Sequence, residues 1–251
     1  MRPAVAISPA PILNLPSFKQ IFSGVSIPVD QQGHPRHNEW IALPGEQLFV
    51  EEELDGGIVR ISSPRYQGEH LFADRRTLTF AASPAHVSPP PSARSILNRM
   101  EQWIGVPYLW GGNWQRGIEA WLDWYPPAQP LNGKERDLWI FRGLDCSGLL
   151  YEASDGYFPR NTAELLRTGR AVPIAGKDPA GIARIVQPLD SLVYRGHIVF
   201  VLDPLHTIES QAERGGVVVR PLRERLAELC AIKTPADDPG TPGGFVCRRL
   251  V

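Results

Sequence analysis

The stretch ASPAHVSPPPSARS, from Ala82 to Ser95, holds four prolines and little that can pack. Proline fixes its own φ, has no N–H to give, and pushes the residue before it out of the helical region, so neither a helix nor a central strand can run through this segment. It reads as a stiff, extended connector. A chain of 251 residues, 43% apolar and 21% charged, is long enough for two compact domains. The connector sets where they part: residues 1–82, a linker over 83–92, and residues 93–251.

The two sides differ in texture. Before the connector, QLFVEE, IVRIS and LTFAA are separated by turn signals at PGE, LDGG and SPRYQG, a pattern that predicts a small antiparallel barrel. After it, Ile96, Leu97, Met100, Trp103 and Ile104 fall on one helical face, with Ser92 or Ser95 as N-cap and Gly105 as stop. A second helix is expected to begin at Cys146. A third is announced by NTAELL, where Asn161 and Glu164 have capping-box spacing and Gly169 terminates. Strands should then follow in LVYRGHIVFVL (Leu192 to Leu202), HTIESQ (His206 to Gln211) and VVVRPL (Val217 to Leu222). Helices first and an antiparallel sheet after them is the α+β order. The piece from Trp114 to Phe141 has no clear period and is expected to be either a lid or a packed insertion.

Charge and cysteine usage narrow the function classes. Net charge is −1 without a long basic or acidic block, which argues against nucleic acid and against an electrostatic membrane contact. Three cysteines without CxxC spacing make neither a disulfide framework nor a zinc site, and they suit a reducing compartment. Pro3, Pro9 and Pro11 interrupt any apolar run at the start, and no stretch elsewhere reaches the ~18 apolar residues of a spanning helix. The expectation is a cytoplasmic monomer, with a signal-independent export route left open.

One of the cysteines is set apart by its neighbours. In GLDCSGLL, Gly143 to Leu150, Cys146 lies between Asp and Ser at a loop-to-helix junction rather than inside an apolar run. A nucleophilic cysteine works as the thiolate, and the first turn of a helix favours negative charge through its unpaired amides. Asp145 can cap that helix, Gly143 and Gly148 permit close approach, and backbone N–H groups there can form an oxyanion hole. The thiol also needs a base, usually His, and a group to orient it. Of the six histidines only His197 and His206 fall in the downstream strands; His34, His37, His70 and His86 lie in loops or near turns. Taken singly, these residues equally fit a buried thiol and a structural histidine.

Their order in the chain resembles the NlpC/P60 family of cell-wall cysteine peptidases. The matching stretches are PYLWGG (Pro107 to Gly112), GLDCSG (Gly143 to Gly148), FPRNTAEL (Phe158 to Leu165) and GHIVFVL (Gly196 to Leu202). They cover about residues 93 to 222, and the resemblance implies a papain-like α+β fold with Cys146 as nucleophile and His197 as base. Where that family commonly has a second His, this chain has IES, so the matching residue is Glu209. Strand parity puts His206 on the face of Ile208 and Glu209 on the other face. His206 and Gln211 stay open as alternative orienters, and a solvated Glu209 is the bland reading. PLDSL (Pro188 to Leu192) stands where the family often has PGDL, and the Trp114 to Phe141 insertion is longer than usual.

The first 82 residues resemble, more weakly, the SH3-like domains that precede some of these peptidases. In members with that architecture the residues matching Asp145, Ser147 and Tyr108 help hold the free amine of an N-terminal L-Ala. The acidic run Glu51 to Glu53 could add charge to such a pocket or simply be a solvated strand edge. What the resemblance implies is an endopeptidase on peptidoglycan stem peptides, cutting the γ-D-glutamyl to diamino acid bond without metal or cofactor. The alternatives are an amidase between sugar and L-Ala, an acyltransferase, or a non-catalytic wall-binding protein.

Overall fold

The computed structural model describes residues 1–81, 89 and 91–251; of the expected connector only Pro89 and residues 91–95 are among them, and His86 is not. The chain forms two compact units, one from Met1–Pro89 with Pro107–Gly148, the other from Pro90–Val106 with Leu149–Val251. These units cut across linear order. Residues 107–148, expected with the C-terminal domain, pack with the N-terminal sheet instead.

The first unit is built on β1 (Arg2–Ala6), β2 (Ala10–Leu13), β3 (Asn38–Ala42), β4 (Gln47–Glu53), β5 (Ile58–Ser62), β6 (Phe72–Asp74) and β7 (Leu78–Phe80). They form an antiparallel sheet in the order β3-β2-β6-β5-β4-β1-β7. The expected barrel is not closed: among the described residues β3 and β7 remain the two ends of the path. β1 and β2 carry Pro3 and Pro11, which read in sequence as breakers, yet both strands find partners on either side. Glu51 to Glu53 are exposed on β4, where Arg60 pairs with Glu51 and Glu52 at 3.5 and 3.2 Å and Arg2 with Glu53 at 3.0 Å.

Period-two alternation gives this sheet two apolar faces. Ile12, Trp40, Val59 and Ala73 join Leu48, Val50 and Leu78 on one. Leu13, Ile41, Ile58 and Phe72 point to the other, where Phe18, Phe22, Trp121, Tyr125, Trp139 and Phe141 cover them. The Trp114 to Phe141 segment is therefore a packed insertion, not a lid. Trp121 and Trp139 are fully buried, and each large side chain removed from water contributes roughly 2–3 kcal/mol. The Tyr125 hydroxyl donates to buried Asp74 at 2.7 Å, and the Trp139 indole donates to the Tyr125 carbonyl at 2.8 Å. The helix Gly133–Trp139 opens on a capping box between Asn132 and Glu135, a signal present in NGKE and passed over because the segment has no apolar period.

The second unit holds β10 (Arg170–Val172), β11 (Asp190–Tyr194), β12 (His197–Val201), β13 (His206–Gln211), β14 (Gly216–Pro221), β15 (Thr234–Pro235) and β16 (Gly244–Arg249). The antiparallel order is β10-β16-β11-β12-β13-β14, with β15 added parallel to β16. The helix Ala93–Gln102 forms, capped by Ser92, and buries Ile96, Leu97 and Met100, but it ends before Trp103 and Ile104, which were expected on its face, and Ile104 is exposed. LVYRGHIVFVL is not one strand but a hairpin, turning at Arg195 and Gly196 with Tyr194 opposite His197. Gly196 supplies the φ of +92° that this turn requires. The helix expected at NTAELL is a single turn, Thr162–Leu165, and Asn161 makes no side-chain cap. The helix Leu222–Ile232 lays Leu222, Leu226 and Leu229 on Leu192, Val199 and Val201 of the sheet. Helices on antiparallel sheets make the protein α+β. Among the described residues no helix is long and apolar enough to cross a membrane.

Candidate active site

In the first unit, two distant stretches of sequence are joined by a short ladder. β8 (Asn113–Trp114) pairs with β9 (Gly143–Leu144), which sets PYLWGG beside GLDCSG. The Asp145 N–H donates to the Gly112 carbonyl at 2.9 Å. A Cβ on Gly148 would stand 1.9 Å from that carbonyl oxygen, so only glycine permits the approach. Gly111 has φ +70°, and a Cβ there would meet the Asn38 carbonyl at 2.4 Å. The motif glycines are thus contact requirements of this junction.

The same junction ties to the edge of the N-terminal sheet. The Asn113 side chain accepts from the Ile41 N–H at 2.9 Å and donates to the Ile41 carbonyl at 2.7 Å, so one amide satisfies the backbone of Ile41 on edge strand β3. The Asn38 side chain donates to the Trp110 carbonyl at 2.9 Å.

Cys146 and Ser147 form the turn that opens the helix Gly148–Ala153, so the regular helix begins two residues later than expected. Asp145 nevertheless acts as a cap: its Oδ1 accepts from the Gly148 N–H at 2.7 Å and from the Ser147 hydroxyl at 3.3 Å. Cys146, Asp145 and Ser147 are all buried, at 7%, 8% and 5% exposure. Tyr108 is half-buried with its ring 5.5 Å from His34. His34 stacks on Trp110 at 5.7 Å, and the Arg36 guanidinium lies 3.8 Å over the same indole. The sequence marks His34 only as a loop residue and gives no signal for Arg36.

The second unit carries the imidazole. His197 is the first residue of β12, fixed by the tight turn before it, and its Nε2 lies 2.7 Å from Glu209 Oε2. Glu209 comes from β13, fully buried on the face that the helix Leu222–Ile232 covers. Parity holds for Ile208 and Glu209, but His206, at the strand's first position, is half-exposed and braces the preceding turn through Asp203 at 3.0 Å. Of the three residues considered as orienters, Glu209 is the one hydrogen-bonded to His197.

The residue that sequence reasoning missed is Arg225. Its Nε donates to Glu209 Oε1 at 2.7 Å and its Nη2 to Oε2 at 2.9 Å. Burial by itself would push the Glu209 carboxyl up, but the hydrogen bonds from His197 and Arg225 and the Arg225 charge hold it below the ordinary value. An ionised carboxylate only accepts, so His197 Nε2 carries a proton toward Glu209, and in the neutral ring the lone pair is on Nδ1. A buried anion orienting an imidazole whose other nitrogen is basic can serve proton transfer.

No family model and no curated protein matches the sequence. Among solved structures, an NlpC/P60 family protein from Bacillus cereus is 19% identical, with TM-score 0.38 and an alignment covering 99% of this chain and 63% of that one. The peptidoglycan hydrolase RipB from Mycobacterium tuberculosis is 22% identical, with TM-score 0.39, over 63% of this chain and 64% of its own. RipD from the same organism, a non-catalytic NlpC/P60 domain protein adapted to peptidoglycan binding, is 18% identical with TM-score 0.38 over 63% and 97%. The chain thus spans less than two thirds of the length of the first two structures.

Proposed function

We propose that the protein is a cysteine endopeptidase of the NlpC/P60 type that cuts peptidoglycan stem peptides at the γ-D-glutamyl to diamino acid bond. The observation that carries the reading is the hydrogen bond at 2.7 Å between His197 and fully buried Glu209, because a solvated strand residue would have no reason to hold an imidazole. It is supported by the order of PYLWGG, GLDCSG, FPRNTAEL and GHIVFVL, and by the placing of Cys146 at the mouth of an Asp-capped helix.

In this reading Nδ1 of His197 takes the proton of the Cys146 thiol, the thiolate attacks the γ-glutamyl carbonyl, and as the C–N bond breaks Nδ1 passes that proton to the departing amine. Water, deprotonated by the same nitrogen, then hydrolyses the thioester and frees the thiol. Glu209 keeps the ring oriented and compensates the imidazolium. Tyr108, Asp145 and Ser147 hold the free amine of the N-terminal L-Ala, and Asp145 supplies the negative charge. No metal or organic cofactor takes part. The N-terminal sheet is an open version of the SH3-like module, which here also anchors the PYLWGG segment. The substrates are free stem peptides in a cytoplasmic recycling role, and the working form is a monomer.

The test is mass spectrometry of products from L-Ala-γ-D-Glu-diaminopimelate and its sugar-linked form, with wild type beside Cys146→Ala. Release of diaminopimelate from the free peptide, lost in the variant, is the expected result. Cleavage of the sugar-linked form moves the substrate to intact wall, cleavage between sugar and L-Ala makes the protein an amidase, and binding without cleavage leaves a wall-binding protein. Iodoacetamide at neutral pH should label Cys146 first. Burial pushes the Cys247 thiol up to about 12 and raises that of Cys230, so these two should stay unmodified.

A further inference from the structure

Glu209 is fully buried and takes three hydrogen bonds: Arg225 Nε on Oε1, Arg225 Nη2 on Oε2, and His197 Nε2 on Oε2. The terminal torsion of a glutamate is ordinarily broad, so a carboxylate held at one end only would let the imidazole tilt with it. A bidentate guanidinium removes that freedom, because its two parallel N–H groups fix the carboxylate plane and leave one direction on Oε2 for a third donor. Arginine also cannot give up its proton, which keeps its partner anionic and accepting.

The guanidinium is itself braced from two elements. The Arg225 side chain is only 4% exposed, and its Nη1 lies 3.4 Å from Glu228 Oε2 one turn along the same helix. Arg220, from β14, donates to that Glu228 oxygen at 2.6 Å. The row His197, Glu209, Arg225, Glu228, Arg220 therefore alternates in charge once the imidazole is protonated, and it runs from β12 to the solvent edge of the helix.

A second clamp in the same unit shows that such a pair does not by itself mark a site. Arg249 grips buried Asp190 at 2.8 and 2.6 Å, and there the remaining acceptor is filled by the Gln187 N–H. The Glu209 clamp differs in that its third donor is a titratable ring.

We propose that Arg225 is a positioning residue for the hydrolysis: it locks Glu209 as a fixed anionic acceptor and so sets the tautomer and the angle of the His197 ring. The inference rests on the reading of Cys146 and His197 as nucleophile and base. Arg225 touches no reacting atom and acts only through Glu209.

The test uses the full chain with 15N-histidine labelling, as wild type, Arg225→Met, Arg225→Lys and Arg225→Ala, with His197→Gln to assign the signal. Wild type should show a slowly exchanging Nε2–H resonance for His197, and Arg225→Met should lose it. On L-Ala-γ-D-Glu-diaminopimelate, Arg225→Met should lower kcat by about 100-fold with KM changed less than about threefold, the scale of removing a partner that orients a ligating or catalytic ring. Arg225→Lys keeps a cation without the fork and should fall in between. Added guanidinium chloride at millimolar level should restore part of the kcat of Arg225→Ala. A folded Arg225→Met that keeps both the resonance and kcat overturns the proposal. If that variant does not fold, an Arg225→Lys protein with unchanged exchange and kcat overturns it instead. Wild type that holds the resonance but cleaves no stem peptide refutes the peptidase reading while leaving the clamp in place.

Discussion

His37 and His197 are both largely buried imidazoles, one in each unit, and they differ in what faces Nε2. His37 has its ring edge-on to Phe22 at 6.3 Å, and its Nε2 has no hydrogen-bond partner among the described residues. Burial alone pushes its basicity down to about 4, so it stays neutral and behaves as a packing group. His197 has a buried carboxylate at 2.7 Å, and that carboxylate has a guanidinium behind it. Burial is common to both rings. The ionic partner is what turns one of them into a candidate base.

The largest effect should come from taking that partner's charge away. Glu209→Gln takes from buried Arg225 its fully buried counter-charge and leaves only the half-exposed Glu228 at 3.4 Å, which should cost about 3–5 kcal/mol of stability, and it should lower kcat by about 100-fold or more. Chemical denaturation and turnover per folded molecule read the two separately. Asp190→Asn breaks the other buried clamp and should cost a similar ~3–5 kcal/mol while leaving kcat of the folded protein unchanged. Loss of turnover there would mean that any buried ion pair in this sheet matters equally, and the distinction would fall.

The next effect concerns the unpartnered ring. Above the ordinary value of 6.5 both folded and unfolded His37 are neutral and stability is complete. As pH falls from 6.5 toward about 4 the unfolded chain binds the proton and the folded one does not, so stability should decline by about 3 kcal/mol over that window. His37→Phe removes this slope. The difference between the wild-type and variant stability curves isolates it from the carboxylates, and a flat difference would mean that His37 finds a proton acceptor after all. The smallest effect should be at Glu228, which is half-exposed. Glu228→Gln should change stability by less than ~1 kcal/mol and kcat by less than about threefold, since solvent screens this outer brace.

Much of the local structure was legible in the chain. The helix at Ala93–Gln102, the strand at His206–Gln211, and the glycines of PYLWGG and GLDCSG could be read because their causes are local: apolar spacing, a serine cap, a backbone that must pass close. The hairpin at Arg195 and Gly196 was not legible, because LVYRGHIVFVL reads as one strand although Arg195, Gly196 and His197 interrupt its apolar residues. The seven-stranded N-terminal sheet was only half visible. Pro3 and Pro11 masked β1 and β2, and strands as short as β6, Phe72–Asp74, carry no period of their own.

What sequence alone determined is the chemistry on offer: a cysteine between Asp and Ser, a histidine after a turn glycine, and an acid in IES at the next strand. Their residue types and spacings are properties of the chain. Three things needed the tertiary structure. The Trp-rich segment covers the second face of the N-terminal sheet because that face is apolar and must be covered by something. Glu209, not His206, meets His197, because pairing register decides which side chains share a face. Arg225 grips Glu209 across 16 positions of sequence, because a buried carboxylate needs a counter-charge and the helix Leu222–Ile232 is where the fold brings one.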